Sequence, residues 1–208
     1  KQVLDAPLKE TLAAAMLHLS DWKQFYKEGK PFYDPMCGSG TIVLEAAGMV
    51  ANRAPGLART RWGFSNWSQH KPNLWDTLCM SAKDRETSDI TRVFASDLDK
   101  HSIDAAKHNA TQLGFDQIHF SQQDVLDFKR PDSGPGVMVT NPPYGTRLGL
   151  IEELIPLYSN LGHMFKGELD NWDAYVFCPA NQLSKSIGLK AKSRLPLMNG
   201  ALDCRLLH

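Results

Sequence analysis

The chain has 208 residues, 42% of them hydrophobic, enough to build one domain around its own core without requiring a second. Its 23 lysines and arginines balance 23 aspartates and glutamates, which excludes the strong basic excess of a self-sufficient nucleic-acid binder. No apolar run approaches ~18 residues and no leader pattern is present, so a membrane span and secretion are not expected and the cytoplasm is the expected compartment. Cys37, Cys79, Cys178 and Cys204 lack C-x-x-C or Cys/His ligand spacing, so they read as free thiols, with neither a disulfide framework nor a metal site.

In chain order, residues 6–20 carry Leu8, Leu12, Ala15, Met16 and Leu19 at helical spacing after Pro7, which predicts an amphipathic helix packed on the domain. Pro31 to Asp34 reads as a short strand running into Pro35-Met36-Cys37-Gly38-Ser39-Gly40-Thr41 and then the helix-forming run Ile42 to Ala47. A strand, a glycine-rich turn and a helix start make an anion cradle in many proteins. Here a dinucleotide fingerprint would need glycine where Val43 stands, and Asp34 would set a carboxylate beside a pyrophosphate. A cationic ligand with ammonium and sulfonium groups fits better, which favours S-adenosylmethionine over NAD or ATP.

Residues 52–72 carry Arg53, Arg59, Arg61 and Lys71 with no acidic residue, interleaved with Trp62, Phe64 and Trp67. This insert is the candidate surface for phosphates and bases. Helix is predicted from Trp75 to Ala82, then a polar loop, then a second strand, Arg92 to Asp97. A carboxylate ending that strand suits a ribose diol, which singles out Asp97, with Leu98 beside it and Asp99 as a helix cap or second acceptor. His101 to Leu113 reads as a helix closed by Gly114, Ile118 to Phe120 as a third strand, and Asp124 and Val125 as candidate partners for an adenine edge.

The run Val137-Met138-Val139-Thr140 predicts a buried parallel strand delivering Asn141-Pro142-Pro143-Tyr144 to its carboxyl end. The prolines cannot donate, so the Asn141 side-chain oxygen and the Pro142 carbonyl can hold an exocyclic –NH₂ while Tyr144 stacks on its ring. Beyond it come a helix over Leu150–Phe165 with Pro156 near its start, a fifth strand over Asp173–Cys178, and a short helix over Asn181–Ile187. The last predicted element is a hairpin turning at Asn199-Gly200 in type I′ geometry.

The order of these sites resembles the Rossmann-like, class I S-adenosylmethionine-dependent methyltransferases, which implies an α/β fold with a seven-stranded, mostly parallel sheet and a C-terminal antiparallel hairpin. Residues Ala6 to Ala13, Asp34 to Thr41, Arg53-Ala54-Pro55-Gly56-Leu57, Trp62-Gly63-Phe64, Asn141 to Arg147 and Asn199 to Arg205 are similar to the THUMP-associated guanine-N2 RNA methyltransferases. The nearest likeness is to the bacterial RlmL-type branch acting on large-subunit ribosomal RNA. One departure is Thr146, where the family often has Glu. The resemblance implies a single methyltransferase domain over residues 1–208 and an RNA-binding THUMP domain elsewhere in the full-length protein. Asn141, Pro142, Pro143 and Tyr144 would hold the amine. Asp34, Met36, Cys37, Gly38, Gly40, Thr41, Asp97, Leu98, Asp124 and Val125, with Asn141, would hold the cofactor. Arg53, Arg61, Trp62, Lys71 and Arg147 would contact RNA. Methylation of adenine N6 or of a protein glutamine, and a non-catalytic RNA or ribosome-assembly module, stand as alternatives.

Overall fold

The computed structural model describes residues 8–57, 59–131, 134–145 and 148–208. Thr146, Arg147 and the first residues of the expected N-terminal helix lie outside the described residues. Seven strands, β1 (Phe32–Asp34), β2 (Val93–Asp97), β3 (His119–Gln122), β4 (Val137–Thr140), β5 (Asp173–Pro179), β6 (Arg194–Asn199) and β7 (Leu202–Leu207), form one sheet in the order β3-β2-β1-β4-β5-β7-β6. β3, β2, β1, β4 and β5 run parallel, and β7 is antiparallel to both neighbours.

Alternation along the strands divides the core between the two faces of the sheet. Phe32, Val93, Ala95, Val137, Val139 and Phe177 pack on one face against α1 (Glu10–Leu19), α2 (Trp22–Lys27), α3 (Thr41–Val50) and α5 (Lys100–Gln112). Tyr33, Met138, Val176, Cys178 and Leu207 face the other way, toward α6 (Leu148–Gly167), α7 (Gln182–Ser186) and the loops around Phe128 and Trp172. β4 is buried on both faces throughout, as its unbroken apolar run requires. β6 alternates exposed and partly covered residues and carries Pro196, which an edge strand tolerates.

Several boundaries differ from expectation. The first helix begins at Glu10, and α2, which sequence reading left out, follows a left-handed residue at Asp21 (φ 52°). Its short pattern survives because Trp22 is buried and donates to the Ala46 carbonyl at 3.0 Å. Helix α4 spans Pro72–Lys83, with Pro72 in its first turn. In α6, Pro156 lies in mid-helix rather than near its start. The hairpin turns at Gly200-Ala201, because Asn199 is still in the ladder opposite Leu202. Gly200 has φ 61° and Ala201 is not left-handed, so the turn is of the II′ kind, with glycine first, and not I′.

Residues 51–87 leave the sheet and return to it at a pinned root. Thr87 N donates to the Ala51 carbonyl at 2.8 Å, Asn52 Nδ2 to the Arg85 carbonyl at 3.1 Å, and Arg53 pairs with Glu86 at 3.0 Å. Within this excursion, neither the 3₁₀ turn Gly63–Asn66 nor α4 buries a residue.

Candidate active site

Strand order reverses direction between β1 and β4, the place where open α/β sheets leave a crevice at their carboxyl ends. The segments predicted to hold cofactor and amine both begin there: the glycine loop leaves β1 and Asn141 follows β4.

The loop is shaped by two glycines in left-handed conformation, Gly38 (φ 54°) and Gly40 (φ 93°). A Cβ at Gly40 would meet Ala106 Cβ at 3.2 Å, so that glycine also lets α5 approach the loop. Cys37 N donates to the Ser96 carbonyl at 2.9 Å, Gly38 N to Asp97 Oδ2 at 2.8 Å, and Asn109 Nδ2 to the Ser39 carbonyl at 3.1 Å. The loop is therefore tied to β2 and α5 as well as to its own helix. Sequence reading did not identify Ser96 or Asn109 as supports, because their partners are remote in the chain.

Asp34 is 1% exposed. Its Oδ1 accepts from Met36 N at 3.3 Å, while Oδ2 is buried with no partner. Burial pushes its carboxyl up to about 7; the Thr140 hydroxyl and the Met36 N–H favour the charged form, and Asp97 opposes it. The Thr140 hydroxyl, at the end of β4, is also buried, and it faces the Asp34 carboxyl without closing a well-formed hydrogen bond. A buried carboxyl with this little hydrogen-bonding at the switch point fits a ligand that brings N–H donors and positive charge. An anionic pyrophosphate does not fit beside Asp34. Thr140 was not singled out from sequence, where it reads as the last residue of a strand. Burial, with Asp34 and Asp97 near, also pushes the Cys37 thiol far up, so it remains neutral.

Asp97 uses Oδ2 on Gly38 N and Oδ1 on Asp99 N at 3.0 Å, and it is only partly buried. Asp99 caps α5, accepting from His101 N at 3.0 Å, as one of its two expected roles requires. Leu98 stands exposed beyond β2. Asp124 accepts from Leu126 N at 2.9 Å at the start of a 3₁₀ turn, and Val125 is buried.

The amine loop is held from below. Tyr158 of α6 donates to the Pro143 carbonyl at 3.2 Å, Pro142 is buried and Pro143 exposed. Tyr144 differs from expectation. Its ring is 5% exposed and lies edge-on to Phe177 at 6.2 Å, and its hydroxyl donates to Asn141 Oδ1. In this arrangement Tyr144 offers no open face for stacking; it holds the Asn141 amide oxygen in place.

The proposed RNA contacts separate into two groups. Arg61 and Lys71 are exposed. Arg53 is not available to phosphate: its guanidinium pairs with Glu86, donates to the Leu113 carbonyl and lies 4.3 Å over the Phe115 ring. Trp62 is likewise internal to the insert, stacked on Phe64 at 5.7 Å and edge-on to Trp75 at 4.9 Å, with Gly56 leaving room where a Cβ would come within 2.7 Å of its ring. Among the described residues no group of three or more His, Cys, Asp or Glu could hold a metal, and no helix is long and apolar enough to cross a membrane.

Over residues 1–208 the chain matches the UPF0020 family, described as an RMKL-like methyltransferase domain. Ribosomal RNA large subunit methyltransferase K/L of Syntrophotalea carbinolica is 43% identical over 210 residues, covering 98% of this chain and 30% of the relative. The protein of the same name from Shewanella frigidimarina is 42% identical over 207 residues, covering 96% and 28%. The chain thus spans about three-tenths of the length of the curated relatives it matches. Of solved structures, SMU.472, a methyltransferase in complex with SAH, superposes with a TM-score of 0.87 at 33% identity, over 98% of this chain and 53% of that one. A predicted N6-adenine-specific DNA methylase from Listeria monocytogenes superposes with a TM-score of 0.85 at 35% identity, over 100% and 53%. With a match along its whole length and a sheet of the same architecture, the chain belongs to the UPF0020 family of RMKL-like methyltransferase domains.

Proposed function

We propose that this domain transfers a methyl group from S-adenosylmethionine to the exocyclic N2 of a guanine in large-subunit ribosomal RNA. The observation that carries the reading is the fully buried Asp34 carboxyl, with the Thr140 hydroxyl facing it, beside the amine loop at the β1/β4 switch point. The names of the K/L relatives supply the RNA class, and the SAH complex of SMU.472 supplies the cofactor class. A THUMP or other RNA-binding domain in the full-length protein fits the much greater length of those relatives.

S-adenosylmethionine, when bound, supplies an electrophilic methyl on a sulfonium. Asp34 and Thr140 would receive its ammonium end, with Gly38 and Gly40 allowing close backbone approach. Asp97, with Leu98 alongside, would accept from the ribose, and Asp124 and Val125 would meet the adenine. Asn141 Oδ1 and the Pro142 carbonyl accept from the guanine amine and so turn its lone pair toward the methyl carbon. The cofactor would supply the methyl and leave as the thioether with the S–C electron pair, while Asn141 and Pro142 would hold the amine so that its proton can pass to solvent. No strong general base is needed, and positioning carries the rate. The target guanine must leave its stack to reach Asn141.

Total RNA lacking the modification is incubated with labelled S-adenosylmethionine and the wild-type or Asn141→Ala protein, then digested to nucleosides. Label is expected in N2-methylguanosine. Asn141→Ala should lower turnover by about 10²- to 10³-fold, the scale for losing one positioned hydrogen-bonding group in an active site, with a much smaller loss of cofactor affinity. The Listeria relative's name makes adenine N6 the second reading; label in N6-methyladenosine would replace the first with it. Cofactor binding without any labelled nucleoside would favour a protein amide or a non-catalytic module.

A further inference from the structure

We infer that the outward face of the insert is a docking surface for single-stranded RNA, with Trp67 as its stacking platform and Arg59, Arg61 and Lys71 as its phosphate contacts. The inference rests on the RNA reading above and names the part of the chain that grips the strand away from the target base.

Trp67 is 68% exposed, an unusual state for the largest apolar side chain. Loose chain does not explain it. Trp67 N donates to the Phe64 carbonyl at 3.0 Å, and the Trp67 carbonyl accepts from His70 N at 2.9 Å. In the same insert, Trp62, Phe64 and Trp75 pack against one another with ring centroids 4.9 to 5.7 Å apart. The insert therefore has its own small aromatic core, and Trp67 is the aromatic residue left outside it on a fixed backbone.

The surrounding charge selects the occupant. Arg59, Arg61 and Lys71 are exposed, and no described ion pair engages any of them. The Arg59 guanidinium lies 5.8 Å from the Trp62 ring, against the insert's own aromatic cluster. No aspartate or glutamate occurs between Asn52 and Trp75. Leu74 and Leu78, one helical turn apart on α4 of the same insert, are also exposed. A purely apolar protein ligand would account for the leucines but not for three cations without counter-charges. A polyanion with flat bases accounts for both, since aromatic stacking beside a cationic track is how single strands are held without sequence preference.

The test is titration of a mixed-sequence 20-nucleotide single-stranded RNA into wild-type, Trp67→Ala and Trp67→Phe protein, followed by anisotropy of a labelled RNA and by tryptophan emission. Trp67→Ala should weaken binding by about 5- to 150-fold, the range for one stacked base, and Trp67→Phe should retain most of the affinity. RNA should quench wild-type emission, and both variants should lose most of that quench. In methyl transfer to RNA, Trp67→Ala should raise KM for RNA while leaving kcat, cofactor affinity and thermal midpoint unchanged. If the wild type methylates RNA and Trp67→Ala leaves KM and affinity alone, the inference fails and the proposed function stands. If the wild type neither binds nor methylates RNA, both fall. Unchanged RNA affinity, together with a loss of self-association on replacing Leu74 and Leu78 by serine, would assign the face to protein contact and overturn the inference.

Discussion

Asp34 ends a three-residue strand in the middle of the sheet, and its setting determines how the empty and filled sites differ. The unfolded chain ionises such a carboxyl near ~3.9, whereas burial in the fold raises it to about 7. The folded state therefore holds the proton more firmly. The resulting stabilisation is complete below the unfolded value and is lost as pH rises through about 7. Thermal unfolding without cofactor should show a midpoint that falls between about pH 4 and 7, the interval from the unfolded to the folded value, and Asp34→Asn should lose most of that slope. The difference between the two proteins isolates this group from all other titrations, and parallel slopes would refute the assignment. A cation placed against Oδ2 favours the charged form, so cofactor binding should release a proton below pH 7 in the wild type but not in Asp34→Asn. Asp34 was legible in the sequence as a cofactor residue. Its unpaired oxygen and the neighbouring Thr140 hydroxyl were not, because burial and pairing depend on strands more than a hundred residues apart.

At the scale of elements, α6 and α7 show where packing overrides helix preference. A Cβ on Gly162 in α6 would overlap the Ile187 carbonyl oxygen just beyond α7. Gly162→Ala should therefore destabilise by about 1–3 kcal/mol or more through overpacking against backbone, despite alanine's better helix propensity. Gly167, at the end of the same helix, has nothing within 4 Å of its would-be Cβ and no positive φ. Gly167→Ala should be neutral or stabilising by up to ~1 kcal/mol. Denaturant unfolding of the two variants separates the effects, and equal changes would show that helix α6 does not approach α7 so closely. Local sequence patterns placed α6 and the terminal hairpin correctly. They misplaced the turn itself, because Asn-Gly is a strong I′ signal and only the ladder partners of Asn199 decide which two residues lie outside it.

Across the whole molecule, the insert behaves as a module mounted on the methyltransferase sheet. Its root is closed by Ala51, Asn52 and Arg53 against Arg85, Glu86 and Thr87, and neither α4 nor the 3₁₀ turn contributes a buried residue. Replacing residues 57–84 by a short glycine-serine link should leave cooperative unfolding and keep cofactor affinity within about 3-fold, an allowance of ~0.7 kcal/mol. It should abolish RNA affinity and flatten its salt dependence. Loss of cofactor binding in calorimetric titration would show that the insert supports the site. Arg53 belongs to this root, which explains why a residue that reads as a phosphate contact in sequence is bound within the fold.

Local patterning was sufficient to establish the alternation of strands and helices, the glycine turn after Asp34, the carboxylate ending β2 and the amine loop after β4, because each depends on residues close in the chain. The tertiary structure decided which polar groups lack partners, that Tyr144 supports Asn141 instead of presenting its ring, and that Trp67, not Trp62, is the exposed tryptophan of the insert. These outcomes are set by desolvation and packing between remote segments, which act only once the sheet has brought those segments together.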